Sequence, residues 1–200
     1  MSVNNRTLPR VDAVVTKRRF LGGQEHSVLL QWAEEQFASG QLNSNDMGAC
    51  RFSKSYVETD IAVPAVFWDI RRQAVNLFSV EDYEDEPFYK CFLGCNTESG
   101  YVHRHVDPSP PDKHHVRINI MLSKPFGGGD PIINGRKIHV DERDLWCFFP
   151  SFMPHESAPV RGSRKRFVIS IGILVPPSAV IGAERYEQFS PSLHASQKAG

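Results

Sequence analysis

The sequence predicts a mainly β chain of the α+β class, an antiparallel barrel or sandwich with helices buttressing one face. Helical periodicity is confined to the residues before Phe78, and from Phe88 onward the chain becomes a succession of short strand-like segments separated by turn signals. In two of those segments an apolar side chain recurs at every second position, as on a strand with one face in a core.

Residues 1–22 are polar and basic and read as an arm, with a first edge strand over 13–15. Over 24–37 the residues Val28, Leu29, Trp32, Ala33 and Phe37 recur at helical spacing, and Ser39-Gly40 ends the helix. Residues 51–57 (RFSKSYV) follow an Asn/Gly-rich loop and read as a strand. Pro64 suits the first turn of a second helix whose apolar face is Val63, Phe67, Ile70, Ala74 and Leu77. The acidic stretch 81–86 reads as a solvated loop, because it lacks the ligand spacing and turn glycine of a calcium loop. A strand is expected over 88–93.

Over 115–122, one face carries Val116, Ile118, Ile120 and Leu122 and the other His115, Arg117, Asn119 and Met121. Over 166–175, Phe167, Ile169, Ile171, Ile173 and Val175 share a face, leaving Arg166, Val168, Ser170 and Gly172 on the other. The branched faces can pack against the two helices while the polar or small faces line a cavity. Gly127-Gly128-Gly129 and Asn134-Gly135 mark turns, and Trp68 and Trp146 read as core.

A chain of 200 residues suits one domain. Its expected organisation is an arm (1–22), helical support (23–87), a β core (88–176) and a disordered tail (188–200). With 23 basic and 23 acidic side chains the net charge is zero, which removes any general electrostatic case for nucleic acid or anionic membrane. Cys50, Cys91, Cys95 and Cys147 lack paired metal-finger spacing and read as reduced thiols. With no apolar N-terminal run and no apolar segment long enough to span a bilayer, a cytoplasmic protein is expected. Oligomeric state is left open.

The chemistry concentrates between Tyr101 and Val175. His105 and Asp107 stand two residues apart, so an imidazole and a carboxylate can converge on one ion. His155 follows Pro154, and Arg166 opens a β-prone segment beyond it. Two histidines and a carboxylate on one side of a metal leave the opposite positions open, the arrangement of non-haem Fe(II) oxygenases. Among eight histidines, His26, His114, His115, His139 and His194 read as surface or satisfied core residues. His103 shares strand parity with His105 but lacks the HxD spacing, and is assigned beside the ligands or facing substrate. An inward Arg117 must be paired, either with a carboxylate of cosubstrate or substrate or with an internal Asp or Glu. Arg117 and Asn119 join His103 as substrate-binding candidates, and Ser170, of the same parity as Arg166, can add a hydroxyl beside it.

The strings GYVHRHVD and DLWCFFPSFMPHESAPV, followed by Arg166, resemble the Fe(II)/2-oxoglutarate-dependent dioxygenases, and the Gly-Tyr-Val before HVD resembles their prolyl-hydroxylase-like branch. The likeness spans residues 88–176. It implies a double-stranded β-helix (jelly-roll) barrel, with Fe(II) on His105, Asp107 and His155. It also implies 2-oxoglutarate and O2 as cosubstrates, with Arg166 on the distal carboxylate of 2-oxoglutarate and Tyr101 as a hydroxyl donor near it. The implied reaction hydroxylates a C–H bond of a proline, another amino acid or a peptide, releasing succinate and CO2. Met121 stands where several relatives carry a tyrosine. Asp107, being a carboxylate and not Gly or Ala, provides no vacant position for halide. Two other classes stay open: a non-oxidative cupin-like metal enzyme such as an isomerase, in which Arg166 lacks a role, and a catalytically silent binding module.

Overall fold

Two long strands, each with apolar side chains at every second position, organise the molecule. In the computed structural model, which describes residues 8–42, 52–57, 61–78, 80–88 and 90–181, the elements in chain order are β1 (Val15–Lys17), α1 (Gly23–Ala38), β2 (Phe52–Tyr56), α2 (Val66–Asn76), β3 (Glu84–Asp85), β4 (Cys91–Asn96), β5 (His114–Ser123), β6 (Pro131–Ile133), β7 (Arg136–Lys137), β8 (Leu145–Phe148), β9 (His155–Ser157) and β10 (Arg166–Val175). Strands β5 and β10 lie antiparallel at the centre of a seven-stranded sheet of order β1-β8-β5-β10-β4-β2, with β3 pairing β10. A second, three-stranded sheet has the order β7-β6-β9.

The alternation partitions as the sequence reading expects. Val116, Ile118, Ile120 and Leu122 of β5 and the isoleucines of β10 bury against Leu29, Trp32 and Ala33 of α1 and Phe67, Ile70 and Ala74 of α2. On the opposite face Arg117, Asn119, Arg166, Val168 and Ser170 look into a cavity whose far wall is Pro131, Ile133, His155 and Ser157 of the small sheet. A smaller core of Met121, Ile133, Val140, Trp146, Phe148, Met153 and Val168 ties the two sheets together. A β-bulge between Phe167 and Val168 lies immediately after Arg166.

Helix α1 starts where Glu25 accepts a hydrogen bond from the Gly22 N–H (2.7 Å), and ends at Ser39 followed by Gly40 at φ +73°. Val28, assigned to its apolar face, is exposed instead, and the buried set is Leu29, Trp32 and Ala33. The edge strand expected over 13–15 forms two residues later, where Val15 to Lys17 pair with β8. Asn134 (φ 50°) and Gly135 (φ 73°) make the two-residue turn between β6 and β7.

Three expectations are corrected. The acidic stretch 81–86 is not wholly solvated: Glu84 and Asp85 pair with β10, and Glu86 is buried, accepting from the N–H groups of Phe88 (2.8 Å) and Lys90 (3.1 Å). That turn, with Lys90 at φ 43°, delays the start of β4 to Cys91. Trp68 is not core; it sits half out of the surface, edge-on to Phe67. Cys91, Cys95 and Cys147 are buried free thiols, whereas Cys50 and the tail 188–200 fall outside the described residues. Among the described residues no helix is long and apolar enough to cross a membrane.

Gly128 (φ +69°) packs so closely on the Pro159 carbonyl that a Cβ there collides with it. Gly128→Ala should therefore cost at least about 1–3 kcal/mol from the backbone conformation alone, read as a lowered midpoint in denaturant unfolding. An unchanged midpoint would show that the loop tolerates a side chain.

Candidate metal centre and anion pocket

The two histidines expected as ligands are 50 residues apart in the chain and become neighbours through their backbones. The His105 N–H donates to the His155 carbonyl (3.1 Å) and the His155 N–H to that of His105 (2.9 Å), an isolated antiparallel bridge. Each ring is then locked by its own chain. Nδ1–H of His105 donates to the His103 carbonyl (2.7 Å), and Nδ1–H of His155 to that of Met153 (3.1 Å). Because a carbonyl only accepts, both rings carry a proton on Nδ1, and each ring when neutral presents the Nε2 lone pair. Asp107 Oδ1 lies 3.3 Å from His105 Nε2 and 3.9 Å from His155 Nε2. The ligand atoms of His105, Asp107 and His155 all fall within 4.8 Å of one another, a grouping that could hold one metal ion.

Electrostatics favour a cation there. Burial alone would raise the Asp107 carboxyl, but the hydrogen bond from His105 and the charge of Arg117 hold it well below the usual carboxylate range. Burial, then the nearby His105, push His155 down to about 4, so it is neutral near pH 7 and ready to ligate. For His105 burial works downward, yet its bond to Asp107 leaves it raised. Binding an ion at this centre therefore releases a proton from His105 wherever that ring is charged.

The cavity holding this cluster measures ≈ 370 Å³, within the range of small-molecule sites. Arg166 lines it, only 5% exposed, donating Nε to the Gly129 carbonyl (2.8 Å) and Nη1 to Asn96 Oδ1 (3.2 Å). Among the described residues no carboxylate lies within ion-pairing distance of it, and burial lowers its pKa to about 10. Asn96 is the cross-strand partner of Arg166 on β4, and Asn119 that of Ser170 on β5. The Ser170 hydroxyl and the Asn96 Nδ2 are buried without a hydrogen-bond partner. A buried cation beside two orphaned polar groups fits a carboxylate-bearing ligand.

Asn119 and His103 also line the cavity, His103 stacked on His105 with ring centroids 4.8 Å apart. Tyr101 is half-buried and lies outside the lining residues. Of the two pairings left open for Arg117, the structure has the internal one: Nη2 lies 3.6 Å from Glu86 and 3.5 Å from Asp107. Three contributors escaped the sequence reading. Asn96 and Glu86 carry no periodic signal. His115, taken as a bland core residue, has Nδ1 3.8 Å from Asp107.

No family model matches the sequence, and no curated protein matches it. Solved structures do. A prolyl-4-hydroxylase from Pseudomonas putida superposes with a TM-score of 0.63 at 18% identity, over 82% of this chain and 93% of that one. A Trichoplax adhaerens prolyl hydroxylase, solved with a hypoxia inducible factor oxygen degradation domain peptide fragment, gives 0.64 at 18% identity over 90% and 88%. The fold is that of the 2-oxoglutarate oxygenases. The α-ketoglutarate-dependent epimerase SnoN from nogalamycin biosynthesis shares this oxygenase fold, with a TM-score of 0.65 at 10% identity over 84% of this chain and 77% of that one. The barrel is thus the double-stranded β-helix, its neighbours include prolyl hydroxylases, and its cavity carries the His-Asp-His cluster.

Proposed function

We propose that the chain is an Fe(II)- and 2-oxoglutarate-dependent oxygenase that hydroxylates a C–H bond of a proline, another amino acid or a peptide. The observation that carries this reading is the pairing, in one cavity, of an open three-ligand cluster with a buried Arg166 that has no carboxylate within ion-pairing distance among the described residues. Bound iron would activate O2, the oxidant, of which one oxygen atom would go to 2-oxoglutarate as it is oxidised to succinate and CO2 and the other to the substrate C–H bond.

The chain's own residues do the rest. His105, Asp107 and His155 hold the metal. Arg166 takes the distal carboxylate in its planar fork, held in place by Gly129 and Asn96, with the Ser170 hydroxyl as a further donor. Val168, Trp146 and Phe148 wall the cavity and exclude water beside these polar groups. Asn119 and His103 face the remaining space as substrate contacts. A cupin-like isomerase leaves the Arg166 pocket without a purpose, and a silent module leaves both clusters without one.

The test is Fe(II)-dependent release of succinate from 2-oxoglutarate, screened for stimulation by free amino acids and by proline-containing peptides. Stimulated succinate with a hydroxylated product supports the reading. Stimulation with an epimerised, unhydroxylated product would move the activity to that of the epimerase-like neighbours. No succinate from metal-loaded protein under any substrate would overturn it.

A further inference from the structure

The two oxygens of Asp107 keep different company. Oδ1 faces the ligating nitrogens of His105 and His155, whereas Oδ2 points to Arg117 Nη2 (3.5 Å) and His115 Nδ1 (3.8 Å). Arg117 is gripped from behind. Its Nη2 lies 3.6 Å from Glu86 Oε2, and its Nη1 donates to the Lys90 carbonyl (3.1 Å). Glu86 is itself immobilised by the N–H groups of Phe88 and Lys90. The guanidinium lies in a notch that only glycine provides, because a Cβ at Gly172 would stand 2.8 Å from Nη1. It also lies 5.4 Å from the centre of the Phe92 ring.

Arg117, Glu86 and Asp107 are 4%, 1% and 8% exposed, so this is a buried triad of one cation and two anions. Such triads are poor stabilisers, since desolvation offsets most of their attraction and apolar replacements are often as stable. Its value is then positional. A carboxylate can bind a metal through one oxygen or both, and taking both consumes a position. Two histidines plus one oxygen would leave a bound metal more open to a two-point keto acid and O2 than two histidines plus both oxygens.

We propose that Arg117, clamped by Glu86 over Gly172, holds Asp107 Oδ2 off the metal, so that Asp107 ligates through Oδ1 alone and the positions for cosubstrate and O2 stay open. This rests on the oxygenase reading above. It makes Arg117 and Glu86 positioning residues, and it explains why Glu86, alone among the carboxylates of 81–86, is buried.

The experiment loads wild type, Arg117→Met, Arg117→Lys and Glu86→Gln with Co(II). It records the visible spectrum, the Co(II) affinity, the affinity of the loaded protein for 2-oxoglutarate, and thermal stability. Arg117→Met should show an altered Co(II) spectrum and about 10–100-fold weaker 2-oxoglutarate binding, the usual cost of losing a group that orients a metal ligand. Lys should restore the spectrum in part, and Glu86→Gln should fall between. Wild-type spectra and 2-oxoglutarate affinity in both Arg117→Met and Glu86→Gln would overturn the proposal. So would losses that merely track thermal stability, or loss of substrate stimulation alone, which would return Arg117 to a substrate-reading role. Wild type that binds neither Co(II) nor 2-oxoglutarate sinks the oxygenase reading itself. Wild type that binds both, with indifferent variants, sinks only this inference.

Discussion

Replacing His105, Asp107 or His155 singly by alanine should abolish metal-dependent turnover and weaken Fe(II) or Co(II) binding by more than the roughly 10–100-fold that an outer-sphere change costs. The reason is geometric as much as chemical. The three donors are gathered by a backbone bridge between His105 and His155 and by rings pinned through Nδ1, so the site is preorganised and removal of one donor leaves two. The fold should survive His105→Ala and His155→Ala, because neither ring lies in either apolar core. Asp107→Ala is harsher: it leaves the Arg117 guanidinium with one of its two acidic neighbours, Glu86. Asp107→Asn is the cleaner variant, keeping the shape while removing the charge. His103→Ala is the control. It stacks on His105 without belonging to the three-donor cluster, and it should retain metal affinity. If His103→Ala lost the metal and His105→Ala kept it, the ligand set would be wrong.

Much of this site was legible because strand parity is a two-state code. Once β5 and β10 are recognised, alternation alone sends Arg117, Asn119, Arg166 and Ser170 to one face, and the structure puts all four in the cavity lining. The HxD motif and the distant His155 were legible for a different reason: few residue types can ligate metal, and the fold brings the donor atoms of these three within 4.8 Å of one another. What was not legible depends on tertiary closure. Glu86 belongs to an acidic tract that composition marks as solvated, and only the turn at 86–90 swings it under Arg117. Asn96 acquires its role from register, as the residue opposite Arg166. Tyr101, which the family resemblance makes a hydroxyl donor near the cosubstrate, is half-buried on a segment that is not a strand and lies outside the cavity lining. Trp68 shows the limit of composition, since a large aromatic at the edge of a helical face can satisfy its packing on Phe67 while half its surface stays wet.

Arg166→Met should do two opposite things. It should remove 2-oxoglutarate binding, and it should leave the ligand-free protein as stable as wild type or more so. Arg166 is a buried guanidinium held by one carbonyl and one amide oxygen, with no carboxylate in ion-pairing distance among the described residues, and burial has lowered its pKa to about 10. Keeping a buried cation there, offset only by the more distant charge of Asp130, costs folding free energy, which a linear apolar side chain of similar length avoids. The lack of a carboxylate in direct contact makes it a strong site for an incoming anion. Truncating one partner of a buried hydrogen-bonded charge pair costs about 2–5 kcal/mol, so the 2-oxoglutarate dissociation constant should rise by about 30- to 3,000-fold. Arg166→Lys should recover part of this, because ammonium supplies charge but not the planar fork. The readout is the thermal shift produced by 2-oxoglutarate on Co(II)-loaded protein. A ligand at about 100 times its dissociation constant adds about 2.7 kcal/mol to wild type, and at the same concentration it should add at most about 0.9 kcal/mol to Arg166→Met. Equal shifts in the two proteins would take the cosubstrate carboxylate away from Arg166. A large loss of stability without ligand would show that Arg166 is held for packing rather than for an anion.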